Sequence, residues 1–432
     1  MQTFEGFPPE PRVRARHRQS ADADHYVIGL QVDRQCTQLV GALIAVSGNR
    51  LEARYRPLVV HQVSLPQPTC DLFRGLATGE GGATAMAAFA TQLAAHHTDM
   101  IRRLPSMADV PQDDVLAVGL LGPGIWSGSL REGRRYFELN DPSRLAEECG
   151  CNVISNFAQR DLAAGGIGGP LMAVPQWLLL AESGTERLLL DVGRSVRLTL
   201  IPGGRSEDNL NRILAFDVGP GTALLDRLSM RLSEGRLPYD PGGTLAVQGT
   251  KIHELVDRWL AEPYFQETPP RWQPSGVCAE EALEATVRMA IDSGWAIRDL
   301  LCTATHFIAR CIATAVESYI PGGLSRIDEV LISGGGQDNG LLLAEIGLQM
   351  GPLPLTRIAA LGWPRGQLEA ATVAVLAGMH LDRVAASCPT VSGAAAPRIL
   401  GQLTPGSPAS WGRLIRYMSS LAPTHLSLRN AI

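Results

Sequence analysis

The chain has 432 residues, 45% hydrophobic and 19% charged, with a formal net charge of −5. That length asks for two domains rather than one core. The charge gives no reason to expect nucleic acid, which needs basic clusters, and apolar runs such as 115–126 fall short of the roughly 18 residues of a membrane helix.

Residues 1–24 carry Arg12, Arg14, Arg16 and Arg18 among prolines and acids, without an apolar core. A disordered arm is expected there, not a signal peptide. Residues 25–32 and 39–46 read as paired strands and 52–65 as a third. A helix is expected over 84–104, with Met86, Phe89, Leu93 and Met100 on a related face. Strands follow at 115–121 and 151–155. The eight cysteines are scattered. Cys149 and Cys151, the only close pair, lack the spacing of a zinc or CxxC site, so no metal centre is expected and a reducing cytoplasm is the simpler setting.

Asn156 ends the 151–155 strand, where a reactive side chain would be presented. An amide there cannot take a proton from a nucleophile at neutral pH. Strands at 187–193 and 196–202 open the second half, and one at 213–217 leads through a glycine turn into a helix from about Thr222. Residues 249–320 are expected to be mostly helical. A strand at 328–336, a helix over 339–349, a short strand near 353–357 and a helix over 367–381 complete the pattern. The repeat of strands, then helices, predicts a two-lobed α/β protein with an N-terminal lobe at 25–185, a C-terminal lobe at 186–406 and a tail at 407–432. Ligands in such folds sit where strand ends meet glycine-rich turns.

Two turns carry chemistry or are ordinary turns. In "FDVGPG" (216–221), Gly219 and Gly221 permit backbone approach, and the following helix would offer free N–H groups to an anion; Asp217 is the charge there. In "SGGGQDN" (333–339), Gly334, Gly335 and Gly336 would let a flat ring lie on the backbone, and Asn339 would cap the next helix. Alone, each is weak.

Together with "PYD" and Gly243, Ala246 and Gly249, then "EPYF" and two prolines (262–270), and "CPTVSGA" (388–394), they form an ordered set. "NFAQRDLAAGGIGGPL" (156–171) adds Phe157, Arg160, Asp161, Gly165, Gly166, Gly168, Pro170 and Leu171. This order and spacing resemble the anhydro-N-acetylmuramic acid kinases, sugar kinases of the actin/hexokinase-like superfamily. The resemblance implies a ribonuclease H-like fold of two lobes around a cleft. It implies ATP with magnesium and a 1,6-anhydro sugar, phosphorylated on its 6-oxygen while water opens the anhydro bridge. By the same resemblance Asp191, Gly193, Gly219, Gly221, Gly334–Gly336 and Asn339 would meet the nucleotide, and Asp217, Arg160 and Glu369 the sugar. A sugar and ATP are the implied partners, with no nucleic acid or membrane, and a homodimer is left open.

The chain departs from the family at its reactive positions. The family's general base, an aspartate, falls on Asn156. The N-terminal phosphate loop, Gly-x-Met-Ser-Gly-Thr-Ser-x-Asp-Gly-x-Asp, falls on "GLQVDRQCTQLV" (29–40), where only Gly29 matches. Asp33 stands at a glycine position, facing the phosphates; Val32, Arg34 and Gln35 replace a hydroxyl-rich run; Thr37 and Val40 replace two aspartates. His-Gly-Gln-Thr-x-x-His becomes residues 121–127, Lys-Ser-Thr-Gly-Arg-Glu becomes 271–276, and Asn-x-Gly-Gly-x-x-Asn becomes 191–197. Asp161 reads as structural. The alternatives are a non-catalytic homologue that binds a sugar, a nucleotide or a partner protein, and a kinase for a different sugar.

Overall fold

The computed structural model describes residues 24–128, 133–272, 288–289, 293–364 and 366–421. The arm up to residue 23, the stretch 273–276 and the tail from 422 lie outside the described residues.

Thirteen strands are described. They are β1 His25–Val32, β2 Gln38–Ser47, β3 Arg54–Ser64, β4 Val115–Leu121, β5 Gly124–Ser127, β6 Arg135–Glu138, β7 Val153–Ser155, β8 Arg187–Val192, β9 Ser195–Ile201, β10 Leu214–Pro220, β11 Glu329–Ser333, β12 Leu355–Arg357 and β13 Gln402–Thr404. They form two large sheets of the same design, β13-β7-β4-β1-β2-β3 and β10-β9-β8-β11-β12, and the small hairpin β5-β6. In each large sheet an antiparallel meander of three strands lies on one side (β1-β2-β3; β8-β9-β10). Parallel strands extend the other side, β4 and β7 beside β1, β11 and β12 beside β8.

Both sheets are covered on both faces, which is why their inner strands read as continuous apolar runs rather than alternating ones. Side-chain alternation still decides which core each residue enters. Leu188, Leu190 and Val192 of β8 enter the outer core of the second sheet, while Leu189 enters a core that both sheets share. The helix Ile297–Tyr319 fills that outer core; it is long and apolar enough to cross a membrane, yet most of it is buried in the protein. The helix Ala83–Ala108 does the same for the first sheet, with Phe89, Leu93 and Met100 buried and Met86 at the margin.

The helix Gln367–Leu381 occupies the shared core and packs on β1, β2 and β4. β13 pairs with β7 in the first sheet, and the helix Pro408–Ser420 packs against β4. The chain thus returns to the first sheet near residue 367, so a C-terminal lobe running unbroken over 186–406 does not follow the sheets. Short-range periodicity cannot report such a return, because the partners of β13 lie some 250 positions earlier. Gly29 of β1 is where this helix comes closest: a Cβ there would stand 2.2 Å from the Ala370 carbonyl oxygen and 2.3 Å from the Ala374 nitrogen.

Gly29→Ala should therefore push helix against strand and destabilise the fold by about 3 kcal/mol, lowering the melting temperature by several degrees. Gly75→Ala is the control, since no atom lies within 4 Å of its added methyl on the helix Gln67–Thr78. It should hold or slightly raise the melting temperature. Equal melting temperatures for Gly29→Ala and the unaltered protein would contradict the packing described.

Candidate functional site

The turn after β1, onto which the resemblance maps the family's phosphate loop, is closed by its own carboxylate. Asp33 accepts from the Thr37 N–H at 2.6 Å, the Thr37 hydroxyl at 2.8 Å and the Gln38 N–H at 2.8 Å. Side-chain carboxylates close turns in this way by taking the backbone donors that follow them. The resemblance implies an Asp33 that faces the phosphates; its carboxylate lies on the Thr37 and Gln38 donors of its own turn.

The second turn shows the same economy. The helix Thr222–Leu232 was expected to offer free N–H groups. The N–H groups of Gly221 and Ala223 donate to the Arg194 carbonyl, and that of Thr222 to the Gly193 carbonyl. The β8–β9 turn is thus the cap of this helix, which corrects the expected anion site. Gly334 and Gly336 are also committed. A Cβ on Gly334 would lie 2.6 Å from the Val192 carbonyl oxygen, and one on Gly336 2.4 Å from Val192 Cγ1. They bring β11 close to the end of β8, so at these two positions the glycines answer to strand packing. Gly335 is half-buried in the short turn that follows, and Asn339 caps the helix Gly340–Met350 through Leu342 N–H at 3.0 Å, as expected.

Between the sheets the charges gather. Asp217 is fully buried and pairs with Arg197 at 3.0 Å; Asp191 accepts from the Ser333 hydroxyl at 3.2 Å. Burial raises the Asp191 carboxyl above the usual range, against the pull of Arg197 and Arg34. Arg34 reaches this group from the β1–β2 turn. Accessible from the cleft but crowded by its walls, it is lowered to about 10, first by desolvation and then by Arg197. Glu369, on the first turn of the Gln367–Leu381 helix, is raised to about 7 by burial and then by Asp191. Its Oε2 is buried without a hydrogen-bond partner. Among the described residues, no group of three His, Cys, Asp or Glu side chains is placed to hold a metal ion.

Beside these charges lies a pocket of about 190 Å³, reached by Asp33, Arg34 and Arg197 and walled by Trp126, Tyr136 and Trp272. Trp126 meets Tyr136 at 4.4 Å and Trp272 at 5.0 Å between ring centroids, and Arg34 lies 5.8 Å over the Trp272 ring. The Trp272 indole N–H is buried and has no acceptor. Arg271 beside it is held by the Asp217 and Glu267 carbonyls and by the faces of Phe216, Tyr264 and Tyr319.

Asn156 adopts the left-handed conformation (φ 59, ψ 35), which Asn tolerates better than most residues. Its side-chain amide donates to Gln402 Oε1 of β13 at 3.2 Å, and its backbone N–H donates to the Glu138 carboxylate. Glu138, at the end of the small hairpin, also accepts from the Asn140 amide at 2.8 Å. Burial raises it to about 7, the two hydrogen bonds pulling the other way. No sequence pattern points to Glu138: strands of four residues are too short to show a period. Arg160 is exposed and does not line the pocket. Asp161 is structural, as expected. Fully buried, it accepts from Gly168 N–H at 2.9 Å, the Ser387 hydroxyl at 2.5 Å and the Ser392 hydroxyl at 2.7 Å, joining two of the sequence motifs.

Duplicated sheets of this order, a meander flanked by parallel strands with a cleft between, define a two-lobed α/β protein of the actin/hexokinase-like fold. The family model described as anhydro-N-acetylmuramic acid kinase matches residues 40–406. Curated relatives of that name include one from Variovorax paradoxus, 33% identical over 78% of this chain and 84% of its own. Another, from Synechococcus, is 30% identical over 87% of this chain and 98% of its own. The chain belongs to the anhydro-N-acetylmuramic acid kinase family. Among solved structures, component A of the Acidaminococcus fermentans (R)-2-hydroxyglutaryl-CoA dehydratase is similar at TM-score 0.38 and 14% identity, over 82% of this chain and 99% of that one. A glucokinase from Streptomyces griseus is similar at TM-score 0.37 and 12% identity, over 81% and 98%. Likenesses of that size add nothing to the sheet topology. Sugar kinases as a class use ATP.

Glu138 generates a pH prediction. Its folded value lies above the ordinary 4.5, so its contribution to stability is full below pH 4.5 and is lost as pH rises through about 7. Glu138→Gln should remove that loss, gaining on the unaltered protein by about 3 kcal/mol between pH 4.5 and 7.5. Denaturant titrations across this range measure it. A constant difference between the two proteins would contradict the assignment.

Proposed function

We propose that this chain is a non-catalytic member of its family, keeping the cleft as a binding site for a small sugar. The observation that carries the reading is the Asp33 carboxylate on the Thr37 and Gln38 N–H groups. The family's reaction takes ATP with magnesium, and the residues present do not fit them. One set of loop donors is taken by Asp33 and the other by the Gly193 and Arg194 carbonyls. Arg34 and Arg197 lie with Asp191 and Asp217, in the region where the resemblance would bring metal-bound phosphate. Positioning and neutralising the transferred group supply most of the catalysis in phosphoryl transfer, and these are what the chain lacks.

A sugar is supported as the occupant by the pocket. Aromatic walls suit the apolar faces of a sugar ring, and the unpartnered Trp272 N–H calls for an acceptor. Asp217 and Asp191 border the proposed site through Arg197, which lines it, while Glu369, Arg160, Gly334 and Gly336 do not line the pocket. A cytoplasmic setting accords with the seven described cysteines, none in a disulfide. A homodimer is compatible with this reading and unnecessary to it.

One observation favours a second reading. Glu138, raised to about 7 and bonded to the backbone of Asn156, has the acidity of a general base near neutrality. A kinase with a relocated base would use it.

A product assay with ATP, magnesium and the 1,6-anhydro sugar separates the readings. No sugar phosphate is expected from the unaltered protein, nor from Asn156→Asp, because one carboxylate does not rebuild a phosphate site. Product should first be seen when residues 31–40 are also changed to the family pattern. Turnover by the unaltered protein that falls 10²–10⁴-fold in Glu138→Gln would establish the second reading instead.

A further inference from the structure

Trp272 is fastened to the second sheet, and its indole lies against the other lobe. The carbonyl of its neighbour Arg271 accepts from the Asp217 N–H of β10, the edge strand, at 3.0 Å. The Arg271 guanidinium donates back to the Asp217 carbonyl at 2.9 Å and to the Glu267 carbonyl at 2.8 Å. Bound through both backbone and side chain, residue 271 fixes where the next side chain starts.

The groups that receive the indole come from the lobe of the first sheet. Trp126 of β5 meets it edge-on at 5.0 Å between centroids. Arg34, from the β1–β2 turn, and Arg134, just ahead of β6, place their guanidinium groups 5.8 and 5.6 Å from the ring centroid. Gly169 lies against the ring: a Cβ there would stand 2.8 Å from the indole Cδ2 and Cε2. Its neighbour Gly168 makes the same room for Trp126, where a Cβ would stand 2.7 Å from Cη2. Trp272 is thus only 8% exposed, yet it belongs to none of the three hydrophobic cores. Its burial is made by the meeting of the lobes. Burying an indole is among the larger apolar gains one side chain can bring, and guanidinium groups over its ring add to it. Separating the lobes would forfeit both.

We propose that Trp272 is a latch between the lobes, holding the cleft closed when no ligand is bound. Where two lobes close on a ligand, differential contacts to that ligand supply the free energy of closure. Here the chain's own indole bridges the gap. The aromatic pocket beside it is formed in advance, and a ligand enters by release of the latch instead of drawing the lobes together. The latch is independent of what occupies the pocket and of whether the cleft is catalytic.

Hydroxyl-radical footprinting of the ligand-free full chain, read after digestion with trypsin, tests it. Arg271 and Arg288 are consecutive cleavage sites, so Trp272 is the only tryptophan of peptide 272–288; Trp177 is likewise alone in peptide 161–187. Trp272 should be oxidised several-fold more slowly in the native protein than in the chain unfolded in urea. Gly169→Ala, whose methyl displaces the indole, should remove most of that protection while the fully buried Trp177 stays protected. In small-angle X-ray scattering, Trp272→Ala should raise the radius of gyration by about 1 Å. Trp272→Phe, which keeps a ring in place, should stay as compact as the unaltered protein. Oxidation of Trp272 in the unaltered protein at the unfolded rate overturns the proposal without any variant having to fold. A folded Trp272→Ala protein as compact as the unaltered one overturns it too.

Discussion

A backbone N–H in a turn must find an acceptor, and the identity of that acceptor decides what the turn can do. In the turn after β1 the acceptor is Asp33, which takes Thr37 and Gln38. A phosphate offered to this loop would have to displace a covalently tethered carboxylate at very high local concentration. It would also meet that carboxylate's charge. The cap of the helix Thr222–Leu232 repeats the constraint with carbonyls in place of a carboxylate. Both devices need few residues.

The charges behind these turns follow from burial. Asp217, fully buried, needs a positive partner close by, and Arg197 on the neighbouring strand supplies it at 3.0 Å. Asp191 and Glu369 lie in the same field, and Arg34 comes in from the opposite lobe. The buried Asp217 is answered from within the protein by Arg197, and Arg34 and Arg197 pull on Asp191 as well. In the neighbouring aromatic pocket an indole N–H awaits an acceptor. This difference is why a sugar, and not a nucleotide, is the proposed occupant.

Much of the fold was legible in the sequence. The inner strands announce themselves as apolar runs because both faces of each sheet are buried, and the glycine turns lie where their spacing placed them. Their reasons were less legible. Gly334 and Gly336 read equally well as a ring platform or as a close strand contact, since both need the missing Cβ; only the position of Val192 decides. The amide at Asn156, where the resemblance maps the family's base, was visible, but Glu138 beneath it was not. That contact depends on the hairpin β5-β6 and on a left-handed backbone at Asn156. The return of the chain at 367 and the pairing of β13 with β7 are set by contacts far apart in sequence, which no local pattern records.

The central claim is that the turn donors onto which the resemblance maps a nucleotide are satisfied from within. Calorimetric titration of ATP with magnesium into the unaltered protein tests it most directly. No saturable heat is predicted up to millimolar nucleotide, while the folded protein remains cooperative in thermal unfolding. Saturable binding at micromolar concentration or below, dependent on magnesium, would contradict the account.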